Sequence, residues 1–155
     1  MERSHVIVDA SSSGGADLLR EAVRIFRRID TEAKSFARSG SSVAFTAIAD
    51  DEIVGWCWGY RLRRPDGTSM GYIHELEVAE THRRRGIGRD LLQTFANAVQ
   101  VRGATKVFLT TGKTNIAARS LYDALGGRLA EQGETVNYWF ALPLPDVAEL
   151  SAWRP

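Results

Sequence analysis

The sequence predicts a single mixed α/β domain, with helices packed on a central sheet. Three observations carry this expectation. A strand-like run, Tyr72 to Val78, precedes a glycine-containing turn, a helix-like run and a second strand-like run, Val107 to Thr111, which is the order of a right-handed parallel crossover. Val43 to Leu62 holds two β-prone runs separated by Ala49-Asp50-Asp51-Glu52, which suits a hairpin. Leu18, Leu19, Ala22, Val23, Phe26 and Ile29 recur at helical spacing with arginines on the other face, as in an amphipathic helix.

Taken in order, Ser4 to Ala10 reads as a short strand that Ser11 to Gly15 breaks with turn formers. The amphipathic helix follows, and Thr31 to Ser42 suggests a second short helix ended by Gly40, Ser41 and Ser42. After the hairpin, Arg63 to Gly71 is turn-forming and exposed. The helix after the glycine turn presents Leu91, Leu92, Phe95 and Val99 as one stripe and stops at Gly103. Thr114 to Gly127 reads as a capped helix ending in glycine, and Thr135 to Leu142 as a final strand. Beyond Pro143 there is little pattern apart from Trp153.

At 155 residues and 44% hydrophobic composition, the chain fits one domain with a sizeable core, taken as residues 1–155. The net charge of +1, from 20 basic and 19 acidic residues, argues against a surface that coats nucleic acid. The single cysteine, Cys57, has no intrachain partner and no secretory leader opens the chain, so a cytoplasmic protein is expected. No apolar stretch approaches the roughly 20 residues that span a bilayer, so membrane insertion is not expected. His5, His74 and His82 lack metal-ligand spacing, so no metal is implied.

The densest local chemistry lies in Glu80 to Leu92, where Arg83, Arg84, Arg85, Gly86, Ile87, Gly88 and Arg89 open a helix. A helix start leaves backbone N–H groups unpaired and carries the positive end of the macrodipole, so it attracts an anion. Glycines let those amides approach a ligand closely, and flanking guanidinium groups suit phosphate oxygens. The dinucleotide fingerprint fails here because Gly86-Ile87-Gly88 is followed by Leu91 where a glycine is needed, and the P-loop pattern is absent.

Leu76-Glu77-Val78 followed by Arg83, Gly86 and Gly88 resembles the acyl-coenzyme A loop of the GCN5-related N-acetyltransferase (GNAT) superfamily, (R/Q)xxGx(G/A) after a strand carrying LxV. A second family stretch, NxxAxxxYxxxG, is matched downstream by Asn115, Ala118, Tyr122 and Gly126. The resemblance extends over Tyr72 to about Leu142; Gly127 departs from the pattern, where the family usually has an aromatic or large apolar residue. The resemblance implies a mixed, mostly antiparallel sheet of six to seven strands flanked by about four helices, with a parallel pair splayed at the acetyl-CoA site. It implies acetyl-CoA as cosubstrate, and homodimers are common in the family.

The resemblance also assigns roles. Coenzyme binding falls to Leu76 and Val78 on the strand, to Arg83, Arg84, Arg85, Gly86, Ile87, Gly88 and Arg89 in the loop, and to Asn115, Ala118 and Tyr122 downstream. Asn115 reads equally well as a helix N-cap. Direct acetyl transfer to an amine needs a general base, because aliphatic amines are mostly protonated near pH 7. Strand alternation puts Glu75 and Glu77 on one face and His74, Leu76 and Val78 on the other. Glu75 is the first candidate base, Glu77 the second, and a solvated strand face is the structural alternative. Tyr122 matches the family's general acid for the departing thiolate, or is a core tyrosine.

The acceptor is less constrained. Tyr72 to Leu76 with the arginine loop resembles aminoglycoside 3-N-acetyltransferases, and Asp50, Asp51, Glu52, Asp66, Glu131 and Glu134 are loop acids that would suit a polycationic sugar. Trp56 and Trp58 share a hairpin face and Trp139 lies on the expected last strand; they are core, or they line an apolar pocket for a small amine. A protein or peptide amine and a non-catalytic acyl-CoA sensor remain alternatives, whereas nucleic-acid binding is disfavoured.

Overall fold

The computed structural model describes residues 4–146. The elements run β1 Val6–Asp9, α1 Gly15–Arg27, α2 Lys34–Arg38, β2 Ser42–Ala49, β3 Glu52–Arg63, β4 Ser69–Val78, a 3₁₀ turn Glu80–His82, α3 Ile87–Val101, β5 Ala104–Leu109 and α4 Ile116–Ala124. The five strands form one sheet in chain order, antiparallel from β1 to β4 and parallel between β4 and β5, which α3 connects.

The sheet separates two apolar layers. On one face α3 contributes Ile87, Leu91, Phe95 and Val99, packed over Phe45, Val54, Cys57 and Ile73. These four helix positions follow the 3.6-residue period, and full burial of each such side chain contributes about 1.5–3 kcal/mol. On the other face α1 and α2 cover Ala44, Trp56 and Trp58 with Leu19, Ala22, Val23, Phe26 and Phe36. Arg28 adopts a left-handed φ of 56° and ends α1, so Ile29 falls outside the expected stripe and is exposed.

The β2–β3 turn is as tight as the sequence implied, with φ of 50° at Asp50 and 61° at Asp51, both positive as in the mirror-image turns that match strand twist. β4 begins at Ser69, inside the segment expected to be a turn. The strand expected over Thr135 to Leu142 does not form: the segment has no regular structure, and Tyr138, Trp139, Phe140 and Leu142 are exposed. β preference measures how well a side chain fits a pleated, half-buried surface, and no neighbouring strand offers this segment a ladder. The sheet therefore has five strands among the described residues, not six or seven. Trp153 lies outside the described residues.

Candidate active site

The site is built around an irregularity in β4. Trp58 pairs with Glu75 but the next residue, Gly59, pairs with Ile73, which leaves His74 without a partner: a β-bulge. Gly59 is required opposite it, since a Cβ there would lie 1.8 Å from the Tyr72 carbonyl oxygen. The extra residue changes the facing. His74 stacks on Trp58 with ring centroids 4.5 Å apart and planes 8° from parallel, so it shares the α1 side with Glu75. The alternation that grouped His74 with Leu76 and Val78 fails at this point.

Glu75 is held by two donors. Arg27 Nη1 at the end of α1 donates to Oε1 at 2.6 Å, and Trp58 Nε1 donates to Oε2 at 3.0 Å, leaving the Glu75 side chain 19% exposed. Glu77 lies opposite Trp56 on the same face, as expected, but is exposed and has no hydrogen-bond partner among the described residues. An aromatic wall continues from Glu75: Tyr72 meets His74 edge-on at 5.9 Å and stacks on Phe108 at 5.8 Å, while Phe36 meets Trp58 edge-on.

Beyond Ile73 and Leu109 the parallel strands part, and the β5-facing edge of β4 is open over its last residues. The Ala79 N–H donates to Val54 O, so backbone alternation turns the polar groups of Leu76 and Val78 away from β3, toward that open edge. Arg83 Nε donates to Val78 O at 3.1 Å. This bond ties the loop to the end of the strand and leaves the two Nη groups of Arg83 without a hydrogen-bond partner among the described residues.

The loop then turns sharply. Arg84 has φ of 64° and Gly86, the N-cap of α3, has φ of 83°. No side chain caps the helix, so its first-turn N–H groups are left for an anion. Ile87 is 2% exposed and anchors the turn in the core, so only its backbone belongs to the loop surface. A Cβ on Gly88 would stand 3.4 Å from Leu121 and 3.6 Å from Val78, ordinary contact distances that explain why the family pattern admits alanine there. Arg84, Arg85 and Arg89 are exposed around this turn. Asp90 in the first turn meets Nε2 of the buried His5 at 2.9 Å, pinning the helix start to the N-terminal segment.

α4 closes the other side of the opening. Asn115 is its N-cap, its Oδ1 accepting the Ala118 N–H at 3.2 Å; the Ala118 amide is thereby used, while the Asn115 amide nitrogen keeps its donors. At the C-terminus, Gly126 N–H bonds Asp123 O and Gly127 N–H bonds Tyr122 O, a Schellman arrangement that fixes Tyr122. Burial, and then the neighbouring Cys57 sulfur, hold the Tyr122 hydroxyl above the ordinary tyrosine range. Cys57 faces the α3 layer opposite Leu76, on the side of the sheet away from Glu75, and the neighbouring α4 residue Leu121 packs beside Gly88 at the start of α3.

Not every expected residue converges. The hairpin acids Asp50, Asp51 and Glu52 lie at the end of the sheet near Val78, whereas Asp66 occupies the β3–β4 turn at the opposite end, and Glu131 and Glu134 are exposed in irregular chain. They do not line one cleft. Two residues that the sequence did not single out, Arg27 and His74, do belong to the site. Nothing in the α1 pattern separates Arg27 from Arg20 or Arg24, and the placing of His74 depends on the bulge.

The profile of the Acetyltransferase (GNAT) family matches residues 15–126, which spans every element from α1 to α4. The chain belongs to the GNAT family. The family uses acetyl-CoA as cosubstrate, and the open strand edge, left-handed Gly86 and uncapped α3 fit that molecule. An N-alpha-acetyltransferase of Sulfurisphaera tokodaii is 36% identical over 90 residues, covering 53% of this chain and 54% of the relative. The chain spans about half the length of the curated relatives it matches. Among solved structures, the aminoglycoside acetyltransferase meta-AAC0020 from a soil metagenomic sample superimposes with a TM-score of 0.75 at 18% identity, covering 91% of this chain and 98% of that one. The aminoglycoside N-acetyltransferase AAC(6')-Iy in complex with CoA gives 0.72 at 14% identity, with 89% and 95% covered. Identities this low establish the shared GNAT fold.

Proposed function

We propose that the protein is an acetyl-CoA-dependent N-acetyltransferase that passes acetyl directly to the primary amine of a small molecule. One observation carries this reading: Glu75, held by Arg27 and Trp58, stands where β4 parts from β5, beside the uncapped start of α3, with the helix that bears the half-buried Tyr122 packed against that start through Leu121. When bound, acetyl-CoA supplies an activated acetyl thioester. The α3 first-turn amides and Arg84, Arg85 and Arg89 hold its pyrophosphate, and the outward backbone groups of Leu76 with the Val78 N–H, whose carbonyl is taken by Arg83, hold its arm as an added strand. Glu75, fixed by Arg27 and Trp58, takes the proton from the incoming ammonium. Tyr122, whose raised value keeps its proton in place, gives one to the departing thiolate.

Aminoglycosides are the first acceptor class to test, since the names of several solved neighbours point to that class, and the Tyr72 to Leu76 stretch, through its resemblance to 3-N-acetyltransferases, makes the 3-amine the first position to examine. The scattered loop acids give a polycation no common lining. The wall of His74, Tyr72 and Phe108 beside Glu75 favours a second acceptor, an amine next to an apolar or planar group, such as an amino acid or peptide terminus.

Thiol release from acetyl-CoA, followed against aminoglycosides, polyamines, amino acids and peptides, tests both readings, with calorimetric titration of coenzyme A alongside. Turnover on one class establishes the transferase and its acceptor. Coenzyme binding without turnover on any class favours a sensor, and no binding overturns the loop assignment.

A further inference from the structure

The far end of the sheet carries a second concentration of positive charge, unconnected with the acetyl-CoA loop. A concavity of about 430 Å³ opens between the β3–β4 turn and the C-terminus of α3, lined by Arg61, Arg63, Arg64 and Arg102 together with Thr68 and Ser69. Its size lies within the range of small-molecule sites, about 300–1,000 Å³. Arg61 and Arg63 are two residues apart on β3 and so project to one face, the face that α3 covers and where Arg102 forms its C-cap.

None of the four guanidinium groups forms an ion pair among the described residues. Arg61 Nε is buried with no hydrogen-bond partner, and Arg102 donates only to Gly40 O. The nearest acid of the turn, Asp66, is not in the lining, and its Oδ1 is taken by the Thr68 N–H and hydroxyl. The C-terminal pole of α3 contributes about half an elementary negative charge, a small offset against four cations. In a chain whose net charge is only +1, four arginines around one concavity, none with an ion pair among the described residues, are a local device and not a consequence of bulk composition.

The geometry points to a binding site for a small anion carrying two or more linked phosphate groups. Guanidinium forks match phosphate oxygens in pairs, and a single phosphate would leave part of this charge unmatched. The concave shape favours a compact ligand over a nucleic-acid strand, which needs a continuous groove with stacking platforms. The site is separate from the coenzyme loop, because α3 lies between them and its 15 residues extend about 22 Å at 1.5 Å per residue.

Titration of tripolyphosphate into the full chain at low ionic strength is the test, with two variants that divide the possible locations. R63E/R64E changes exposed side chains of the concavity, and R84A/R85A/R89A removes the charge of the coenzyme loop; circular dichroism checks that both stay folded. Because the coenzyme loop takes a polyphosphate of its own, two equivalents bound by the parent, of which one is weakened at least tenfold in R63E/R64E and that same one is kept in R84A/R85A/R89A, support the site. Absence of any equivalent that survives in R84A/R85A/R89A, or binding unchanged in R63E/R64E, overturns it. An oligonucleotide that competes at least tenfold more strongly than tripolyphosphate also overturns it, in favour of a nucleic-acid surface.

Discussion

Arg27 at the end of α1 and Glu75 in the bulged part of β4 are 48 residues apart in sequence and 2.6 Å apart in space, the closest tie between the helical layer and the candidate base. With Trp58 on the other oxygen, the carboxylate is oriented before any substrate arrives. A carboxylate has about four lone-pair sites, so two accepted bonds still leave room for the proton of an amine.

Glu75→Gln is therefore expected to lower kcat by roughly 10²–10⁴-fold with little change in acetyl-CoA KM. Unchanged turnover with the true acceptor would move the role to Glu77 or to a bound water.

Arg27→Ala tests positioning. The Arg27 side chain is 53% exposed, so its ion pair adds little to stability and the melting temperature should barely move. The acceptor kcat/KM is expected to fall about ten- to hundredfold through misplacement of the carboxylate, with acetyl-CoA KM unchanged. A matching fall in stability would indicate that the pair is structural.

The Tyr122 hydroxyl has no protein hydrogen-bond partner among the described residues, so Tyr122→Phe should leave stability near that of the parent while lowering kcat by about 10²-fold. Because burial raises its value, the folded state retains the proton beyond the usual tyrosine value of about 10, and the stability tied to this group is fully present below that value and is lost as pH rises from there through the folded value. The pH profile of kcat should thus show no alkaline fall due to Tyr122 below about pH 9. An unaltered kcat in the phenylalanine variant would make it a packing residue.

Periodicity made the α3 layer legible, because Leu91, Phe95 and Val99 must face the sheet whatever the details of the turn that precedes them. The same logic misplaced His74, since a bulge is a property of two strands in register and leaves no mark on one of them. Tyr138, Trp139 and Phe140 show the converse limit: strong β preference without a neighbouring ladder gives exposed, irregular chain. The loop acids looked like one lining because sequence cannot tell the two ends of a sheet apart, as Asp51 and Asp66 demonstrate.

The two loop glycines should behave differently. Gly86 holds φ of 83° with open space where a Cβ would point, so Gly86→Val costs about 1–3 kcal/mol of backbone strain without a clash. Coenzyme A affinity is expected to fall at least about a hundredfold as the first-turn amides lose alignment, while circular dichroism stays unchanged. Gly88→Ala puts a methyl at contact distance from Leu121 and Val78 and should bind coenzyme A within a few-fold of the parent. Normal affinity in Gly86→Val would remove the loop from the site.

Cys57 is fully buried beneath the site, and burial pushes its thiol well above the ordinary range. The folded state therefore keeps the proton at pH values where the unfolded chain has released it, so the unfolded state binds fewer protons and unfolding free energy falls as pH rises. The slope attributable to one such group approaches about 1.4 kcal/mol per pH unit above roughly pH 9. Denaturant titrations of the parent and Cys57→Ala at neutral and alkaline pH should show the variant less stable near neutrality, from the lost packing, yet with a shallower alkaline decline. Parallel declines in the two proteins would mean that the thiol is not the group whose proton the fold retains.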